Sequence, residues 1–433
     1  MQKINFETKI KMDNLKFRKI FVCIFLLQIS FQLHSIPIID SLYNNKIKSI
    51  QVYKAGWELS LPIIQLNTEE KLEISFDDLS HTVGDYYYKI VHCDFNWIPT
   101  ELNYTDYSDG FEINKIENRI ISSNTVVAYN HYNFQIPNEK LQIKISGNYI
   151  LTILAANDEV FTRKFYVNEA NALIDFHIIR AQLPKYMKRN QQFQLKIKPI
   201  IENIVDLKED IKVIVYKNFD PLSKKILLLN YLENETLVFD DMDSCIFNGG
   251  NEFRNFDIKS IKYQSPNIKS MEYVNDTFQI NLTNDELRNR KPYFTDKDIN
   301  GKFFIENSNG ISKNQDADYV KVFFQLHSEF LPDGDIYIHG ALSDWKLDKN
   351  SKMDYNFKTN TYEKLLLVKQ GYYNYTYVFK NEEFSIIDES LIEGNHYETE
   401  NEYQTLIYYR SPTARYDRLI GFKTISASNN GKK

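Results

Sequence analysis

Three potential metal ligands stand in a row at His92-Cys93-Asp94. On an extended strand neighbouring side chains point to opposite faces, so at most His92 and Asp94 can share one ion. No second ligand pair at a recognisable spacing accompanies them, and His131 stands alone in YNHYNF. The triplet therefore reads as ordinary strand residues, with no metal expected. Asp77-Asp78 places two carboxylates side by side, whereas glycoside hydrolysis needs two set apart across a cleft; at the end of LEISFDD the pair reads as a strand-end turn. Asp240-Asp241-Met242-Asp243 offers oxygen ligands for weak calcium binding but lacks the alternating ligands and the glycine of an EF-hand loop. It reads as a solvated acidic turn. Serine, histidine and aspartate all occur, yet no nucleophile elbow, H-E-x-x-H or phosphate-binding loop does. No catalytic residue and no cofactor are expected, and the chain reads as a binding protein.

Binding chemistry then falls to aromatic and guanidinium groups. Trp97 precedes Ile98-Pro99, where a strand must end, and is either a core plug or an exposed anchor; Trp57 carries the same ambiguity. Aromatics often dominate interface energy. Arg410, Arg415 and Arg418 lie among tyrosines in YYRSPTARYDRLIGF. They are either paired to carboxylates beside a last strand pair or presented as a polar docking edge.

These residues must be held by strands. Tyr (30) and Phe (29) are abundant while Gly (14) and Pro (11) are sparse, a composition that favours pleated, half-buried surfaces. Strand-like words recur at short intervals, among them KSIQVYK, KLEISFDD, YYYKIVHC and GNYILTIL, with Asp109-Gly110 and Ser146-Gly147-Asn148 as turn signals. The only clear helical stretch is Thr283 to Arg290, TNDELRNR, with Thr283 as N-cap and Glu286 at the capping-box position. The fold expected is all-β: two or three immunoglobulin-like β-sandwich domains in tandem. The divisions expected are residues 36–168, 169–306 and 320–433, with NEANAL a polar joint after Val167 and residues 307–319 a linker.

Ahead of the strands, Lys16, Arg18 and Lys19 precede the apolar run from Ile20 to Leu33, which Gln28, Ser30 and Gln32 interrupt. This is the pattern of a secretory signal peptide over residues 1–35, with Met12 an alternative start. The run is short for a membrane span, so no direct membrane insertion is expected. Loss of the leader removes six basic and two acidic residues, and the formal charge moves from −6 to −10. That balance disfavours nucleic acid or an anionic membrane surface as partner. Cys93 and Cys245 fall in different expected domains and read as buried thiols.

Several words go further. LPIIQL and LEISFDDL, YYYKIVHCDFNWIPTEL, YSDGFEINKI, SSNTVVAYNHYNFQIP, SGNYILTIL, NEFRNFDIKS (Asn251 to Ser260) and ENEYQTLIYYRSPTARYDRLIGF (Glu400 to Phe422) occur in order. Through them nearly the whole chain after the leader resembles the type IX secretion system plug proteins of Bacteroidota. The resemblance implies a periplasmic, non-enzymatic protein that docks on the outer-membrane translocon β-barrel and seals its pore from the periplasmic side. It brings no catalytic or cofactor residues. The last region also resembles the early-set, immunoglobulin-like carbohydrate-binding modules of glycogen-active enzymes, through IYIHGALSDW and YYNYTYVFKNEEF. That likeness implies a sugar platform of Trp345 and Phe384, the latter where a Trp would be usual. The alternative is a periplasmic glycan-binding protein, against a bland reading in which both aromatics simply pack.

Overall fold

The computed structural model describes residues 40–427 save 81, 202, 203, 205, 309, 311 and 385. The leader expected over residues 1–35 lies outside the described residues. The described residues form one compact unit, and strands fill it; the longest described helices have four residues. The all-β expectation is met.

Alternation drives strand formation. Tyr86–Cys93 buries every second residue, so its aromatic and aliphatic side chains line one face. Gly147–Ala155 is buried almost throughout. It is central in its sheet, between Asp158–Asn168 and Tyr86–Cys93, and its outer face is covered by the C-terminal strand Arg418–Ser426. Gly147 has φ +136°, and a Cβ there would stand 2.5 Å from the His92 ring. The turn signal at this position is thus also a packing requirement.

Three sandwiches result. The first packs the sheet of Ile47–Lys54, Leu72–Asp78, Asn130–Ile136 and Arg119–Ile121 on the sheet that holds Tyr86–Cys93 and the Gly147–Ala155/Asp158–Asn168 hairpin. Its core joins Phe76, Tyr86, Tyr132, Phe161 and Phe165. The strand pairing then departs from the sequential division. Glu402–Tyr409 pairs with Ile211–Lys217 and with Arg418–Ser426, so the last two described strands complete the middle sandwich. Tyr403, Ile407 and Ile420 share a core with Phe193, Leu195 and Val215. Residues 254–393 make the third sandwich, where Arg254–Asp257 and Phe303–Ile305 flank Gly371–Asn381. Phe256, Phe324 and Tyr375 centre its core. Cuts at 306 and 320 would divide both the second and third cores. The physical reason is that short strands with free edges take whichever complementary edge the topology offers, and sequence distance does not limit that choice.

Two local expectations change with it. TNDELRNR is not helical: Asp285–Glu286 pairs in parallel with Leu326–His327. Asp285 is held by the Arg254 guanidinium at 2.6 Å and by the hydroxyls of Tyr375 and Tyr377, contacts worth more than a capping box. The described part of the expected linker 307–319 is structured, with a turn of helix at Lys313–Asp316 and the Asp318 carboxylate accepting the amides of Val126 and Val127 at 2.7 and 3.0 Å.

Candidate functional site: the joints between sandwiches

Leu72, Ile74 and Phe76 face the first core, so Asp77, next on the strand, points away from it. The third sandwich covers it there. Lys369 Nζ and the Tyr319 hydroxyl both donate to Asp77 Oδ2 at 2.6 Å, and His131 Nδ1 lies 2.7 Å from Oδ1. The Lys369 ammonium also sits 4.0 Å over the Tyr129 ring, whose hydroxyl donates to the Ala317 carbonyl at 2.9 Å. Asp77 is 0 % exposed and Lys369 2 %. Leu79, Tyr129 and Tyr319 form a small apolar cluster around the pair. Burial pushes the Asp77 carboxyl up, but Lys369 and His131 together outweigh it and hold the group below its ordinary value. The adjacent Asp78 is buried too, accepting from the Tyr86 hydroxyl and the Ser80 amide. The strand-end turn expected at Asp77-Asp78 is refined: the pair does end its strand, but it is buried and Asp77 is the ionic centre of a domain joint. A carboxylate pair ending an apolar strand, and a lone Lys ending the apolar run LLLVKQG, are the only sequence traces of it.

The first and middle sandwiches meet differently. Trp97 adopts φ +69° and is 6 % exposed; its ring stands edge-on to Tyr166, with Lys164 Nζ 4.6 Å above it. Tyr166 in turn touches Phe219 of the middle sandwich. Asp417 accepts the Phe95 amide at 3.0 Å, and the Tyr408 hydroxyl donates to Asn148. Arg418 makes a two-pronged pair with Glu169, at 2.9 and 2.5 Å. The polar joint after Val167 is thereby clamped, since Glu169 and Asn171 also donate their amides to Leu419 and Ile420 carbonyls. Arg415 donates to the Glu101 carbonyl at 2.8 Å and stays largely exposed. Trp97, Arg415 and Arg418 are thus brought to one joint.

His92 lies beside this joint, edge-on to Tyr416. Its Nδ1 pairs with Thr100 at 3.0 Å and its Nε2 with the Ser146 carbonyl at 3.2 Å, so both ring nitrogens have partners. Burial pushes its pKa down to about 4. Cys93 and Cys245 are free and buried, and burial raises both thiols, Cys245 to about 11.

Trp345 and Phe384 are not brought together. Trp345 packs edge-on against His339 and Phe253 and closes over Gly301, while Phe384 stands 66 % exposed at the hairpin after Asn381. His339 reaches across to the middle sandwich, its Nε2 2.9 Å from Asp220. Inside the third sandwich the buried Glu393 receives Arg254 and Arg288, which hold its pKa at about 2 against the upward pull of burial. Arg254 belongs to the word NEFRNFDIKS. Among the described residues no group of three His, Cys, Asp or Glu side chains is placed to hold a metal ion, and no helix is long and apolar enough to cross a membrane.

Comparison with known proteins follows the same outline. A search of curated proteins finds no match. The model of the Type 9 secretion system plug protein 1st domain matches residues 47–169, the span of the first sandwich. A crystal structure of a hypothetical protein from Parabacteroides merdae is 33% identical, covers 90% of this chain and 100% of its own, and superposes with a TM-score of 0.87. The C-terminal domain of the Streptococcus pyogenes antigen I/II-family protein AspA aligns at 8% identity with a TM-score of 0.14, too low for a likeness of fold. With its first sandwich matched and its whole architecture shared with a relative at this identity, the chain belongs to the type 9 secretion system plug protein family.

Proposed function

We propose that the protein is a periplasmic, non-enzymatic stopper that docks on the outer-membrane translocon β-barrel of the type IX secretion system and seals its pore at the periplasmic side. The observation that carries this reading is the way a member of the plug family is built: three sandwiches joined by buried ionic and aromatic contacts into one compact unit. A steric seal needs a body that does not yield at its joints, and buried ionic and hydrogen-bonded contacts supply stiffness where loops alone would not. Broad contact with the barrel rim, more than about 1,000 Å² by the usual measure of stable interfaces, is the expected mode of docking. Export by the leader delivers the chain to the periplasm.

The test is uptake of a large, normally excluded antibiotic. A strain lacking the protein should leak, and a strain lacking both protein and barrel should not. Unchanged uptake in the single deletion, or equal leakage without the barrel, would remove the proposal. Copurification of the tagged protein with the barrel from envelope extracts tests docking separately.

A further inference from the structure

Beside the Asp77–Lys369 joint the first and third sandwiches diverge and leave a cleft of about 1080 Å³. The apex is marked by the Ser49 hydroxyl on the Tyr319 hydroxyl at 2.7 Å. One wall is the stretch Ile47 to Ile50 and the other the stretch Lys364 to Lys369. Successive side chains on a strand point to opposite faces. When four and then six consecutive residues line one cleft, it is the edge of each strand, with its backbone groups, that faces the space.

Both edges are open. Ile47–Lys54 is the terminal strand of its sheet. Thr361–Lys369 is covered on its outer side by Asp354–Asn356, but that pairing reaches only Thr361 to Glu363. From Lys364 onward, among the described residues, its only ladder is with the Tyr319–His327 strand on the inner side. Roughly every second residue there turns its N–H and C=O outward, along an edge about 16 Å long from Lys364 to Val368 at ~3.3 Å per residue, before Lys369 enters the buried joint.

The charges around the cleft are unequal. Asp344 is taken by Arg163 and Lys346 at 2.9 and 3.5 Å, Asp40 accepts the Lys164 amide, and Asp348 accepts from Asn350. Lys369 belongs to Asp77. Among the described residues Lys48, Lys349 and Lys364 have no carboxylate within ion-pair distance, Lys364 donating only to the Lys349 carbonyl. Burial lowers the pKa of Lys48 while the nearby Asp344 raises it. Lysines on an open edge repel indiscriminate strand pairing. One class of strand turns the same lysines into an attraction: an acidic one.

We propose that this cleft is a peptide-binding site that takes an extended acidic segment of a partner protein as an added strand on the Lys364–Val368 edge, with Lys48, Lys349 and Lys364 reading its carboxylates. Strand addition draws affinity from the main chain and specificity from the side chains. Leu365, 45 % exposed, supplies an apolar contact beside the charges.

The experiment uses residues 36–433 and a fluorescein-labelled, end-blocked nonapeptide alternating valine and glutamate, followed by anisotropy. Saturable binding is expected, about tenfold weaker for the same peptide N-methylated at alternate residues and for a valine–lysine peptide. The triple variant K48E/K349E/K364E should lose about the same factor while keeping its thermal midpoint. Should that variant fail to fold, hydrogen exchange on the unaltered protein decides: saturating peptide should slow exchange at residues 364–368. Absence of saturable binding overturns the proposal, as does equal binding of the N-methylated peptide or unchanged exchange at 364–368. Sedimentation showing self-association that K364E abolishes would assign the edge to a second copy instead, and would overturn it too.

Discussion

The two joints of the first sandwich solve one problem with different chemistry. Toward the third sandwich it commits a fully buried ion pair, Asp77 with Lys369, wrapped in Tyr129 and Tyr319. Toward the middle sandwich it uses an edge-to-face aromatic contact of Tyr166 with Phe219 and a half-buried pair between Glu169 and Arg418. A buried pair adds little net stability over an apolar filling but is costly to leave half broken. A partly exposed pair is weaker and forgiving. The first joint is therefore stiff and specific in geometry, and the second tolerates adjustment.

The sharpest way to break this contrast is Asp77→Ala, which strands the Lys369 ammonium in a dry joint. It should cost about 3–5 kcal/mol in denaturant unfolding, and replacing both residues by apolar ones of similar size should recover most of the loss. A cost under about 1 kcal/mol would mean the joint is wetter than described.

Acid should separate the joints next. His92 has its pKa lowered to about 4 from 6.5, so the folded state binds fewer protons than the unfolded one between those values. Its contribution is complete above pH 6.5 and is lost as pH falls toward 4, on the order of 3 kcal/mol in all. Asp77, held below its ordinary 3.8, stabilises above that value and fails only as pH falls below it. The two contributions should thus fall away in separate pH windows, read as the difference in thermal midpoint between the protein and each variant. His92→Gln should flatten the first window alone, and a variant that keeps the full decline between pH 6.5 and 4 would refute the assignment.

Smaller effects grade the second joint. Arg418→Ala should cost about 1–2 kcal/mol, for a charged hydrogen-bonded pair in partial contact with solvent. Arg415→Ala, on the exposed side of the same word, should stay within about 0.5 kcal/mol. If the two costs are equal, the Glu169 clamp is not what holds the joint. Chemical denaturation of the two variants side by side settles the order.

Much of the architecture was legible before any coordinates. Tyr86–Cys93, Gly147–Ala155 and Tyr319–His327 declare themselves by alternation or by β-branched and aromatic density, because a strand's periodicity is a local property of its own side chains. The turn at Ser146-Gly147 was legible for the same reason. Trp97, Arg415 and Arg418 stand out in the sequence by residue type, but whether they pack inward, pair with carboxylates or face a partner is not legible there.

What tertiary structure alone decided is who pairs with whom. Glu402–Tyr409 meets Ile211–Lys217 across some 190 positions, and nothing in either strand's own pattern names the other, since any free edge offers the same backbone groups. Thr283 to Arg290 reads as a capped helix in isolation, yet Arg254, Tyr375 and Tyr377 claim Asp285 and leave it extended. Asp77 reads as part of a strand-end turn; only a third sandwich arriving with Lys369 makes its burial affordable. Sequence by itself determined the strands, through forces that act within a few residues. The joints and the charged cleft beside them depend on surfaces that do not exist until distant strands have come together.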